Sequence, residues 1–234
     1  MERVRGDVHR LQLGWVEPFV VNAYVVDDGG TVTLVDTGMP ANRRSLRGEL
    51  AAAGYDPADV DRVLLTHYDL DHVGGLTALA RRLGGPRFDA EVYLGAADVA
   101  LVRGDTDPPW FHHKGAFHRL AREAFDLRDV ALTPVEDGDR IGGFTAHHTP
   151  GHNPGHTAYV HEAGVGFVGD LLWETDGALE LPFWGDSYDR AAMRASVRAL
   201  VARAAPFDVV CVGHGVPFVR GGGERLRAFA AGLA

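Results

Sequence analysis

Thr66-His67-Tyr68-Asp69-Leu70-Asp71-His72-Val73-Gly74-Gly75 is the stretch around which the whole sequence organises. It follows an apolar, β-branched run over Val60–Thr66 that predicts a strand, and it precedes a helical pattern over Val73–Leu83. Four side chains able to bind a metal, His67, Asp69, Asp71 and His72, lie within six residues and are separated by apolar or aromatic positions. A compact turn between a strand end and a helix start can aim such donors at one point. Imidazole nitrogens and carboxylate oxygens suit zinc, iron or manganese, and no thiolate is offered. Helix capping accounts for one of the aspartates, but it does not account for the set.

Working outward, three more strand-like runs end in donors of the same kind. Phe144–His148 leads into Thr149-Pro150-Gly151-His152-Asn153-Pro154-Gly155-His156, whose prolines and glycines fix a tight path. Gly164–Gly169 leads to Asp170, and Val209–Gly213 leads to His214. Each signal alone is weak. Four strand ends that finish in metal-type donors are a pattern, because strand ends are where loops converge. Strands are also predicted over Val8–Leu13, Phe19–Val26, Thr31–Asp36, Glu91–Leu94, Ala131–Val135 and Thr157–His161. Helices are predicted over Asn42–Ala53, Ala96–Arg103, Tyr188–Ala202 and Glu224–Leu233, and a loop over Trp173–Gly185. Hairpins followed by strand–helix alternation, twice over, predict two packed sheets with helices outside. Residues 104–128, mixed in aromatics, histidines and arginines, read as a helical insertion or flap, and the whole of 1–234 reads as a single domain.

These motifs, in this order and over nearly the whole chain, resemble the metallo-β-lactamase superfamily, whose signature is His-x-His-x-Asp-His followed by a distant His, Asp and His. Leu34-Val35-Asp36-Thr37-Gly38 also resembles that family's early strand-end motif. The resemblance implies an α/β (α+β) fold, an αββα sandwich of two mixed β-sheets flanked by helices. It implies two divalent metal ions, zinc expected, with iron or manganese as alternatives. By position, His67 and His152 join residue 69 at the first metal. Asp71, His72 and His214 hold the second, Asp170 bridges the two, and Asp36 supports the metal loop. Asp69 departs from the pattern, standing where the second histidine of the signature belongs. An aspartate oxygen can reach like the nearer ring nitrogen, but its charge weakens Lewis acidity and shifts preference toward harder ions.

Other residues are read against blander roles. His156, beside the ligand motif, is expected to orient the loop or His152 from behind. His147 and His148 are expected to be structural, with at least one facing solvent, and His9 and His161 to be ordinary strand residues. His112, His113 and His118 are read as a solvated helical face. Trp110, Trp173 and Trp184, with Phe111 and Phe183, are candidates for an apolar substrate pocket and equally for packing down their loops. Tyr188 is a candidate for contacting substrate or for a core position opening its helix. Lys114 is the only lysine, read as a compositional bias.

At 234 residues and 46% hydrophobic content the chain can bury a substantial core. A net charge of −9 argues against a nucleic-acid backbone as partner. No run approaches the ~18 apolar residues of a membrane span and no signal peptide is visible. The single cysteine, Cys211, excludes an internal disulfide and reads as a packed thiol, so a cytoplasmic protein is expected. A small-molecule substrate is expected, with no nucleic acid or membrane as partner, and a homodimer is left open. The function expected is hydrolysis of an ester, thioester or lactone by a metal-bound hydroxide, with Asp71 and Asp170 catalytic. An iron-containing redox protein of the same fold, or a non-enzymatic metal-binding module, are the alternatives.

Overall fold

The computed structural model describes residues 2–14, 20–39, 46–82, 90–124, 127 and 130–233. Strands β1 (Glu2–Arg5), β2 (Val8–Leu13), β3 (Val21–Asp27), β4 (Val32–Val35), β5 (Val60–Leu65), β6 (Glu91–Gly95) and β7 (Leu132–Val135) form one sheet in sequence order. Its first half is antiparallel, and from β4 onward the neighbours run parallel. The second sheet has the order β14 (Val209–Val212), β11 (Val165–Gly169), β10 (Thr157–His161), β9 (Phe144–His148) and β8 (Arg140–Ile141). Only its β11–β14 pair is parallel. A small hairpin, β12 (Trp173–Thr175) with β13 (Ala178–Glu180), stands inside the segment expected to be a loop.

The layers follow from the period-2 alternation of strand side chains. In β3, Tyr24 and Val26 face the second sheet, where they meet Phe144, Tyr159, Phe167, Val209 and Cys211. Ala23 and Val25 face the other way, into a cluster with Leu50, Leu76, Val99 and Val102 of the helices α1 (Leu46–Ala52), α2 (Leu70–Arg82) and α3 (Ala96–Arg103). The second sheet's outer face carries α5 (Arg190–Arg203) and α6 (Gly222–Gly232) through Val197, Leu200 and Leu226. The order is therefore helices, sheet, sheet, helices. Each large side chain buried between the sheets contributes about 1.5–3 kcal/mol, so the inter-sheet cluster is what clamps the halves together.

Of the helix starts that differ from expectation, two have clear local reasons. α2 begins at Leu70, because the backbone carbonyl of Asp69 accepts from His72 and Val73, both at 2.9 Å. α5 begins at Arg190, because the Asp189 carboxylate accepts from Ala191 N at 2.8 Å and Ala192 N at 3.0 Å. Of the helix expected over Asn42–Ala53, residues 42–45 lie outside the described residues, as do Gly84-Gly85-Pro86. Among the described residues no helix is long and apolar enough to cross a membrane.

Candidate metal centre

The donors gather at one edge of the sandwich, where ends of both sheets meet. His67 and Asp69 follow β5, Asp71 and His72 occupy the first turn of α2, and Asp170 follows β11. His152 lies in the turn between β9 and β10, and His214 follows β14. Two trios result, His67 with His152 and Asp170, and Asp71 with His72 and His214, the ligand atoms of each lying within 4.8 Å of one another. Asp170 connects them, with Oδ1 3.4 Å from His72 Nε2 and Oδ2 3.3 Å from His214 Nε2 and 3.8 Å from His152 Nε2. All seven expected ligands are brought to one place, Asp69 beside His67 and His152.

Supporting residues decide which ring nitrogens face the centre. Asp36 accepts from Thr66 N and Thr66 Oγ1, both at 2.8 Å, and its Oδ2 takes the Nδ1 proton of His72 at 2.9 Å. His214 Nδ1 donates to Val20 O at 2.9 Å. Both histidines therefore turn Nε2 inward, the arrangement that a carboxylate or carbonyl behind a metal-binding imidazole enforces. Asp36 does this from a left-handed backbone, φ 59°, which aspartate tolerates better than most residues. The space is tight, since a Cβ on Gly213 would meet Asp170 Oδ1 at 2.0 Å.

The donor chemistry fits a cation. His67 Nε2, His72 Nε2 and Asp170 Oδ1 are fully buried and hydrogen-bond to nothing in the protein, although buried polar atoms almost always have partners. Burial opposes a charge on His214, yet Asp170 and Asp71 push its pKa up to about 10. His72 rises in the same way, because Asp170, Asp36 and Asp71 outweigh its burial. A cluster that draws protons onto buried imidazoles is one that attracts positive charge.

Asp69 also reaches the two histidines of the first trio, but further partners hold it. Its Oδ2 lies 2.7 Å from Lys114 Nζ, 3.0 Å from His152 Nε2 and 3.4 Å from His67 Nε2. Its Oδ1 accepts from His118 Nε2 at 2.7 Å and Asn153 Nδ2 at 2.9 Å. Burial alone would raise this carboxyl, but Lys114, His67 and the hydrogen bond from His118 hold it well below the usual carboxylate range. Lys114 and His118 belong to α4 (His113–Ala124), the helix of the expected flap. The reading of His118 as part of a solvated face is therefore wrong. It is 1% exposed, and only His113 of the three faces solvent. The sequence reading also missed Lys114 and Asp98. Buried Asp98, on α3, accepts from Tyr68 N at 2.9 Å and Gly155 N at 2.6 Å, stapling the two ligand loops together. Spacing carried a signal for the first pair, since Lys114 and His118 are four apart on one helix and so share a face.

His156, fully buried, bonds Thr149 Oγ1 through Nδ1 at 2.8 Å and packs its ring against His67 and His152, so it braces the turn that carries His152. His147 is buried and His148 exposed, as expected of that strand. A cleft of about 710 Å³ opens on the centre through Asp71 and His214, with Trp173, Glu174 and Asp186 in its walls. The ring of Trp173 lies 5.0 Å from that of His214. Trp110 and Trp184 do not line this cleft. Trp110 lies under the Arg119 guanidinium and Trp184 against His113, and both are largely exposed. Tyr188 stacks on His112 and puts its hydroxyl 3.0 Å from His118 Nδ1, behind Asp69, so it supports that network and opens no helix core.

Comparison with known proteins agrees with this geometry. The family model described as the metallo-beta-lactamase superfamily matches residues 16–214. The uncharacterized protein YobT of Bacillus subtilis is 28% identical over 227 residues, covering 89% of this chain and 88% of that one. The ribonuclease TTHA0252 of Thermus thermophilus is 34% identical over 164 residues, covering 64% of this chain and 35% of its own length. Among solved structures, TTHA1623 in a di-iron-bound form superposes with a TM-score of 0.66 at 28% identity, covering 92% of this chain and 96% of that one.

Proposed function

Because the chain belongs to the metallo-β-lactamase superfamily, we propose that it is a metal-dependent hydrolase of small neutral esters, thioesters or lactones. The observation that carries this reading is the pair of donor trios linked by Asp170, with one of them open to a cleft through Asp71 and His214. When bound, a divalent ion supplies Lewis acidity toward a carbonyl oxygen and acidifies water for attack. His72 and His214 would hold that ion through Nε2, kept in this tautomer by Asp36 and by Val20 O. Asp71, at the mouth, is the carboxylate able to take a proton from attacking water and return it to the leaving group. Trp173 offers the apolar wall against which an acyl chain would lie.

Charge narrows the substrate class. The cleft walls carry the carboxylates Asp71, Glu174, Asp176, Glu180 and Asp186 against one arginine, Arg10. That field repels a phosphodiester backbone, and this chain matches only 35% of the length of the ribonuclease it resembles. Zinc is the expected ion. The di-iron form of TTHA1623 supports iron as the second reading. Elemental analysis of protein purified without added metal, followed by an ester, thioester and lactone panel, tests the proposal. We expect turnover of at least one class, lost in His214→Ala. Iron in place of zinc with no hydrolysis anywhere in the panel would overturn it in favour of a redox role.

A further inference from the structure

Lys114 is the only lysine in the sequence, and it is buried at the centre, 4% exposed. Its Nζ lies 2.7 Å from Asp69 Oδ2 and 2.9 Å from His152 Nε2, which are themselves 3.0 Å apart. A lysine ammonium can only donate, so Asp69 Oδ2 and His152 Nε2 are both its acceptors, and its charge is what lets them lie this close. The lone pair on His152 Nε2, which a metal ion would need, is directed at Lys114. From this we infer that Lys114 takes the place of a first metal ion, so that the chain holds one ion, on Asp71, His72, Asp170 and His214. The inference rests on the metal-centre reading proposed above.

Three further observations support it. The ammonium sits in a prepared cage. Asp186 O accepts from Nζ at 2.8 Å, while His118 and Asn153 fix the Asp69 carboxylate from its other oxygen. Position also counts, because an ion held by His67, His152 and Asp170 would sit beside a buried ammonium that is 2.9 Å from His152 Nε2, and water cannot screen the repulsion there. Finally, access is one-sided, since Asp71 and His214 line the cleft whereas His67 and His152 are fully buried. A substrate in the cleft meets the ion, with the fixed cation of α4 behind it.

The test is metal stoichiometry together with reactivity of the one lysine. Protein loaded with excess zinc and freed of unbound metal should carry one ion per chain, and Lys114→Met should rise toward two. Two ions in the unaltered protein, or one in both proteins, overturns the inference. Acetic anhydride labelling followed by mass spectrometry needs no variant. Lys114 should stay unmodified in the zinc-loaded protein, and acetylation that increases on zinc binding would mean the ion displaces it. A chain that binds one zinc ion but hydrolyses nothing in the panel leaves this inference standing and removes the hydrolase reading.

Discussion

Asp36 makes three hydrogen bonds from a backbone conformation few residues accept, and from the end of β4 it reaches the centre through His72 and, by way of Thr66 Oγ1, through His67. Asparagine there keeps the left-handed backbone and one acceptor oxygen but lacks the charge that holds the Nδ1 proton of His72. Asp36→Asn should therefore weaken metal binding by about 10–100-fold while leaving the fold intact. Competition with a chromophoric chelator measures this, and unchanged affinity would show that Asp36 is merely structural. Asp36 was legible in the sequence through the resemblance of Leu34-Val35-Asp36-Thr37-Gly38 to the family's early strand-end motif. Lys114 and Asp98 were not. Each lies on a helix whose burial depends on what packs against it, and no local pattern says that α4 turns Lys114 toward Asp69.

At the scale of elements, the first two turns of α2 carry the centre and are docked backbone to backbone. Thr37 N and Thr37 Oγ1 both donate to His72 O at 2.7 Å, and Gly75 N donates to Gly38 O at 2.7 Å. A Cβ on Gly75 would lie 2.0 Å from Thr37 O, so only glycine allows this approach. Two effects compete in Gly75→Ala. Helix propensity favours alanine by about 1 kcal/mol, whereas overpacking against rigid backbone costs about 1–3 kcal/mol. The neighbour here is a carbonyl, which cannot swing aside, so we expect the variant to be destabilised by about 1–2 kcal/mol net. Urea unfolding checks the sign, and a stabilised Gly75→Ala would mean that the α2–β4 approach is looser than described. The strand ends were legible from β-branched runs stopped by polar donors. The β12–β13 hairpin was not, because its short strands, Trp173–Thr175 and Ala178–Glu180, alternate too little to be told from a loop.

For the molecule as a whole, the centre exists only because the two sheets meet in one register. Arg10 and Asn22 of the first sheet bind Gly215 O at 2.8 and 2.9 Å, and Asn22 and Tyr24 bind Val212 O at 2.9 and 2.8 Å. These bonds fix the end of β14, and with it His214, against the sheet that supplies His67, Asp71 and His72. The layered architecture could be anticipated from the twice-repeated strand–helix pattern, and the donors from their positions. The seam itself depends on long-range pairing that no local window contains. Asp170 approaches His152 of one trio and His72 and His214 of the other, so the account stands on it. Metal content of the unaltered protein and of Asp170→Asn, both purified without added metal and both shown folded by circular dichroism, is the most direct measurement. Stoichiometric divalent metal in the first and little in the second is the predicted result, and a full complement of metal in Asp170→Asn would contradict it.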